Sequence, residues 1–183
     1  MPSTDADTDP DTHADALCPL ITPPPASPST LATTHRPAYK PRSSDPSTLY
    51  YAFTVPGDPR SATVVRATIR SVLRTHGLTR IEEAALSVAG ELVACATRFA
   101  PGQDLYHSLR WCDGALRIVN WDAHHAHSDP RHAARCTACR KRALLLLAAV
   151  VHECRGTWGI SRPGATTDGT QVWARLPLDG ACP

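Results

Sequence analysis

Leu105-Tyr106-His107-Ser108-Leu109-Arg110-Trp111-Cys112-Asp113-Gly114-Ala115-Leu116-Arg117-Ile118-Val119-Asn120-Trp121-Asp122 is the stretch that decides the fold. Two runs rich in aromatic and aliphatic residues, Leu105–Trp111 and Leu116–Trp121, flank Asp113-Gly114. Asp-Gly between such runs is a strong signal for a tight hairpin, because both turn residues must adopt positive φ. The reading is a pair of antiparallel strands. A single hairpin is marginal in water, so the rest of the chain must supply more strands and a cover for the apolar face.

Upstream, Tyr50–Val55 is aromatic and β-branched, ends at Pro56-Gly57, and predicts a strand. Asp58 can cap the helix that follows, and Pro59 suits its first turn. Val65, Ile69, Val72 and Leu73 form one helical stripe that stops at His76-Gly77. Thr79-Arg80-Ile81-Glu82 has the form of a capping box and starts a second helix. In it, Ile81, Ala85, Val88, Leu92 and Ala96 face a core, while Glu91, Cys95 and Arg98 lie on a neighbouring stripe.

Downstream, a His-rich loop is predicted from Asp122 to about Thr137, then a helix from Arg140 to Cys154 whose dense apolar run implies burial on most sides. Trp158–Ser161 and Thr170–Leu176 predict a second hairpin with Asp168-Gly169 at its turn. The order strand, helix, helix, strand, strand, helix, strand, strand implies an α+β two-layer sandwich. Its helices would cover one face of a mixed, mainly antiparallel sheet.

Ten of the 17 prolines fall between Pro2 and Pro46, together with Asp5, Asp7, Asp9, Asp11 and Asp15, and no Lys or Arg precedes Arg36. Such a segment buries too little apolar surface to offset its ordering entropy. Residues 1–48 are therefore expected to form a disordered tail, 49–178 the domain, and 179–183 a short C-terminal tail. The Met1 end lacks the pattern of a signal peptide, and Leu144–Val151, the longest apolar run, is too short to span a bilayer. A cytoplasmic protein is expected, and its seven cysteines are then expected to be reduced. The net charge is +2, and only Arg140-Lys141-Arg142 clusters its basic residues, so direct nucleic-acid binding is not expected.

Four motifs, in order, resemble the histidine-kinase-like ATPase superfamily in its bacterial anti-sigma regulatory branch. They are Pro56-Gly57-Asp58-Pro59, Glu91-Leu92-Val93-Ala94-Cys95-Ala96, Leu116-Arg117-Ile118-Val119-Asn120-Trp121-Asp122, and Trp158-Gly159-Ile160 followed by Gly169-Thr170-Gln171-Val172-Trp173-Ala174-Arg175-Leu176-Pro177. The resemblance implies a Bergerat-type ATP-binding fold over residues 50–178. It implies ATP with Mg²⁺ as cofactors and a serine/threonine protein kinase activity used in transcription regulation. The implied partners are a sigma factor and an antagonist (anti-anti-sigma) protein, with a homodimer as a further option and no membrane. By the same resemblance, Glu91 is the catalytic base and Asp122 the anchor for the adenine amino group. Gly169-Thr170 is the turn supporting that anchor, and Cys95 stands where the family has its Mg²⁺-binding Asn.

The chain departs from that pattern at two places. A thiol at Cys95 is a poor ligand for Mg²⁺, a hard cation that takes oxygen. No Gly occurs between Gly114 and Gly156, so the phosphate-wrapping Gly-rich lid is missing. Phosphoryl transfer depends on metal and positioning, so both losses argue against turnover. A rival reading comes from the replacement loop. His127, His132, Cys136 and Cys139 could supply two imidazoles and two thiolates to a tetrahedral Zn²⁺. The chain would then be a scaffold that binds no nucleotide and is stiffened by structural zinc. The plain alternatives are a mobile His-rich loop, an exposed helical carboxylate at Glu91 and a small buried residue at Cys95.

Overall fold

The computed structural model of the chain describes residues 45–161 and 169–178. The expected tails over residues 1–44 and 179–183, and Asp168 of the second hairpin turn, lie outside the described residues. Residues 45–48, read from sequence as tail, belong to the folded unit. Pro46–Thr48 makes a 3-10 turn and Asp45 contacts His76 through its carbonyl.

The elements are β1 (Tyr50–Val55), α1 (Ser61–Thr75), α2 (Glu82–Phe99), β2 (Leu105–Cys112), β3 (Ala115–Asp122), α3 (Pro130–Ala143), α4 (Leu145–Glu153), β4 (Thr157–Ser161) and β5 (Thr170–Pro177), with a further 3-10 turn at Thr79–Ile81. The five strands form one open sheet in the order β1-β2-β3-β5-β4. Every pairing is antiparallel, which corrects the expectation of a mixed sheet. The reason is topological. β4 runs parallel to β3, but β5 is inserted between them, so the two parallel strands never bond.

The hairpin of β2 and β3 forms as expected. Asp113 and Gly114 take φ of 50° and 70°, and Cys112 pairs with Ala115 across the two-residue turn. Register then places Leu109, Ile118 and Ala174 on one face, beside His107, Asn120 and Val172, and all six are buried. α2 and α4 pack on this face and α1 packs on α2. The other face carries exposed Tyr50 and Tyr106.

The stripe residues Val65, Ile69, Val72 and Leu73 of α1, and Ile81, Ala85, Val88, Leu92 and Ala96 at the start of and along α2, are all buried in one core. Each fully buried Leu, Ile or Val contributes about 1.5–3 kcal/mol, so this spine holds the helical layer to the sheet.

Local start signals behave differently from expectation. Thr79 and Glu82 form no capping box, and α2 has no side-chain cap. Glu82 is buried and taken instead by Arg74, at 2.9 and 3.0 Å, and by Arg70, at 3.2 Å. The hydrogen bond from Arg74 holds its carboxyl below the usual carboxylate range. Asp58 does not cap α1 itself; it accepts the Arg60 backbone N–H and pairs with the Arg60 side chain.

Two further expectations are corrected. Half of the predicted His-rich loop is helix, because Asp129 accepts the Arg131 N–H and Pro130 occupies the first turn, a complete N-terminal signal for α3. The helix expected from Arg140 to Cys154 is two helices that meet at Leu144, and α4 is buried on one side only. Leu144, Leu147, Val151 and Cys154 face the core, whereas Leu145 and Leu146 are 66% and 57% exposed. Cys154 is disulfide-bonded, contrary to the expectation of reduced thiols, while Cys95, Cys112, Cys136 and Cys139 are free. No helix among the described residues is long and apolar enough to cross a membrane.

Gly169, at the start of β5, has φ +131°, and a β-carbon there would lie 2.5 Å from the Trp121 indole. This close approach sets β5 against the end of β3, where the candidate site lies.

Candidate functional site

Asp122 is the last residue of β3 and is completely buried. Arg140, from the last turn of α3, is 2% exposed and reaches it with both guanidinium nitrogens. Nη1 donates to Oδ2 at 2.5 Å and Nη2 to Oδ1 at 3.1 Å. The backbone N–H of His124 also donates to Oδ1, at 3.2 Å. The guanidinium lies over the Phe99 ring, 4.2 Å from its centroid. A planar cation held between a carboxylate and an aromatic face uses arginine's two binding modes together.

Cys95, on α2, belongs to the same spot. It is 3% exposed, and burial pushes its thiol up to about 11, with the nearby Arg140 charge partly opposing the shift. The thiol is therefore neutral at physiological pH and offers no hard oxygen donor. Glu91, one helical turn earlier, is half-buried and forms no hydrogen bond or ion pair with the described residues. Thr170 pairs with Asp122 across the sheet, but its hydroxyl donates to the His124 carbonyl oxygen, at 3.2 Å.

Adenine and Mg²⁺, which the resemblance implies, do not fit these residues. The Asp122 carboxylate already accepts two guanidinium N–H groups and one backbone N–H, and Arg140 covers it. The position expected to hold Mg²⁺ is a buried neutral thiol.

Beside this ion pair lies a second cluster. His124 is fixed on three sides: its backbone N–H donates to Asp122, its carbonyl accepts from Thr170, and its ring Nδ1 meets the Phe99 carbonyl oxygen at 3.0 Å. A carbonyl can only accept, so Nδ1 carries a proton, and in the neutral ring this tautomer leaves the lone pair on Nε2. That Nε2 lies 3.3 Å from His127 Nε2 and 3.1 Å from Cys136 Sγ. One donor atom from each of the three residues falls within 4.8 Å of the others, and the cluster could hold a metal ion.

Of the predicted set, the structure brings His127 and Cys136 together. His132 and Cys139 lie outside the cluster. His132 turns its Nδ1 to the Asp129 carboxylate, 3.5 Å away, and Cys139 is exposed. Cys136 is half-buried beside His124, whereas Cys139 faces solvent and His132 is exposed and drawn to Asp129. The missed ligand is His124, and the pair His124-x-x-His127 at a strand end was the signal available for it.

No protein-family model matches the chain, and no curated protein matches it.

Proposed function

We propose that this chain is a regulator of the anti-sigma type, derived from the Bergerat-type ATP-binding fold, that acts by binding a partner protein and does not turn over ATP. The element order, the Glu91–Ala96 motif on α2 and the Asp at the end of a central strand support the kinship. Loss of nucleotide chemistry rests on one observation, the burial of Arg140 against Asp122 and Phe99. In this reading a residue of the chain's own third helix takes the place of the purine, and the serine/threonine kinase activity is gone. What remains is a rigid helical layer with which a sigma factor or an antagonist protein would be bound.

Calorimetric titration with millimolar Mg-ATP tests the first half; no heat and no thermal shift are expected, and a saturable isotherm overturns it. Titration against purified sigma factors tests the second, and failure of all of them to bind removes the regulatory role.

A second reading, a scaffold that carries zinc, is favoured by the convergence of His124, His127 and Cys136. Two imidazoles and a thiolate match the preference of Zn²⁺ for nitrogen and sulfur. Metal analysis after dialysis against a weak chelator, on protein purified without a His tag, is expected to give one zinc per chain.

A further inference from the structure

We propose that a zinc ion on His124, His127 and Cys136 acts as a clasp that fastens α3 over Asp122. The proposal rests on the zinc reading and adds what the ion does.

α3 has little of its own to hold it in place. Of its 14 residues only Arg140 is buried, and that residue is charged. A helix normally docks through an apolar stripe, and α3 lacks one. Its described attachments to the end of β3 are polar: Arg140 on Asp122, and Cys136 against His124. Cys136 and Arg140 are four residues apart and so share one face of the helix. The ion pair and the cluster therefore grip the same side of α3, one turn apart.

The two ends of the clasp differ in stiffness, as a clasp requires. His124 is tied by its bonds to Asp122, Thr170 and Phe99, which belong to β3, β5 and α2. It is a ligand oriented in advance by its surroundings. Cys136 is the contribution of α3, and His127 comes from the connection between the two. An ion bound to all three joins the rigid sheet end to the helix.

The spacing suits zinc. With bonds of about 2.0 Å to nitrogen and about 2.3 Å to sulfur, tetrahedral geometry separates two nitrogens by about 3.3 Å and nitrogen from sulfur by about 3.5 Å. His124 Nε2 and His127 Nε2 already stand 3.3 Å apart, and Cys136 Sγ at 3.1 Å needs to move outward by roughly half an ångström. Three protein donors leave the fourth position to water.

The experiment uses the full chain in two steps. Titration with Co²⁺ as a spectroscopic stand-in is expected to give a thiolate-to-metal absorption band that saturates at one equivalent and is displaced by Zn²⁺. Cys136→Ser should lose the band, His127→Ala should weaken metal binding at least tenfold, and His132→Ala and Cys139→Ser should keep it. Hydrogen exchange is then followed in residues 131–143 with and without one equivalent of Zn²⁺, and at least a tenfold slowing is expected. Absence of metal binding overturns both the zinc reading and the clasp. Binding through Cys136 with unchanged exchange in α3 overturns the clasp alone and leaves the zinc. Slowing that also occurs in Cys136→Ser, which keeps the histidines, overturns the assignment of the thiolate. Neither result bears on ATP, which calorimetry decides separately.

Discussion

At the scale of single residues, the pair of Arg140 and Asp122 carries most of the consequence. Two charges removed from water are tolerated only while each has the other, so removing one leaves an uncompensated buried charge. Arg140→Ala is therefore expected to destabilise the domain by about 3–5 kcal/mol in urea denaturation. Replacing both, as Asp122→Leu with Arg140→Met, is expected to cost far less than the single change, and that contrast separates a buried ion pair from simple loss of packing. His107 is a second residue with a measurable signature. It is buried on the inner face of β2 beside Phe53, neither ring nitrogen has a hydrogen-bond partner among the described residues, and burial pushes its pKa down to about 4. In the unfolded chain the ring protonates near its ordinary value of about 6.5. Between these values the unfolded state binds the extra proton, so stability falls as pH falls from about 6.5 to about 4, by about 3 kcal/mol in all. His107→Leu is expected to flatten that part of the pH profile, measured as the difference in urea stability between pH 7 and pH 4.

At the scale of elements, Gly169 fixes how β5 enters the sheet. Its positive φ and its contact with the Trp121 indole both exclude a side chain, so Gly169→Ala is expected to cost about 2 kcal/mol or more, read as a lower thermal midpoint. The strands, α1 and α2 were legible in sequence because each has a clear period and a clear stop. β1 spans Tyr50–Val55 as read, and the stripes of α1 and α2 are buried as read. What sequence did not give was the partner of each polar side chain. Thr79 and Glu82 have the spacing of a capping box, yet two arginines of α1 claim Glu82, because an ion pair across helices outweighs a local cap. Ser128-Asp129-Pro130, which follows the histidines after β3, carries a local helix-start signal, a capping Asp and a first-turn Pro. On the helix that starts there Cys139 is exposed and His132 turns to Asp129, so neither joins the metal cluster, and these side-chain choices are not written in the spacing. Arg140 was readable as a basic helix residue, but its reach to Asp122, 18 residues away, depends on where α3 lies, and no local pattern carries that.

At the scale of the whole molecule, five antiparallel strands and a helical layer share one core, and the candidate site sits where the ends of α2, β3 and α3 meet. Leu92, at 1% exposure, belongs to that core. Leu92→Ala is expected to cost about 2–5 kcal/mol and to lower cooperativity little, since it removes packing without touching the ion pair. The two-residue turn at Asp113-Gly114 has a kinetic consequence. It joins β2 and β3, which occupy the interior of the sheet, so their mutual contacts close the shortest possible loop while β1 and β5 must be gathered from far along the chain. The barrier to folding should thus be crossed with this turn already made. Gly114→Ala, which strains a residue at φ 70° by about 1 kcal/mol, should slow refolding about fivefold in stopped-flow and leave the rate of unfolding nearly untouched.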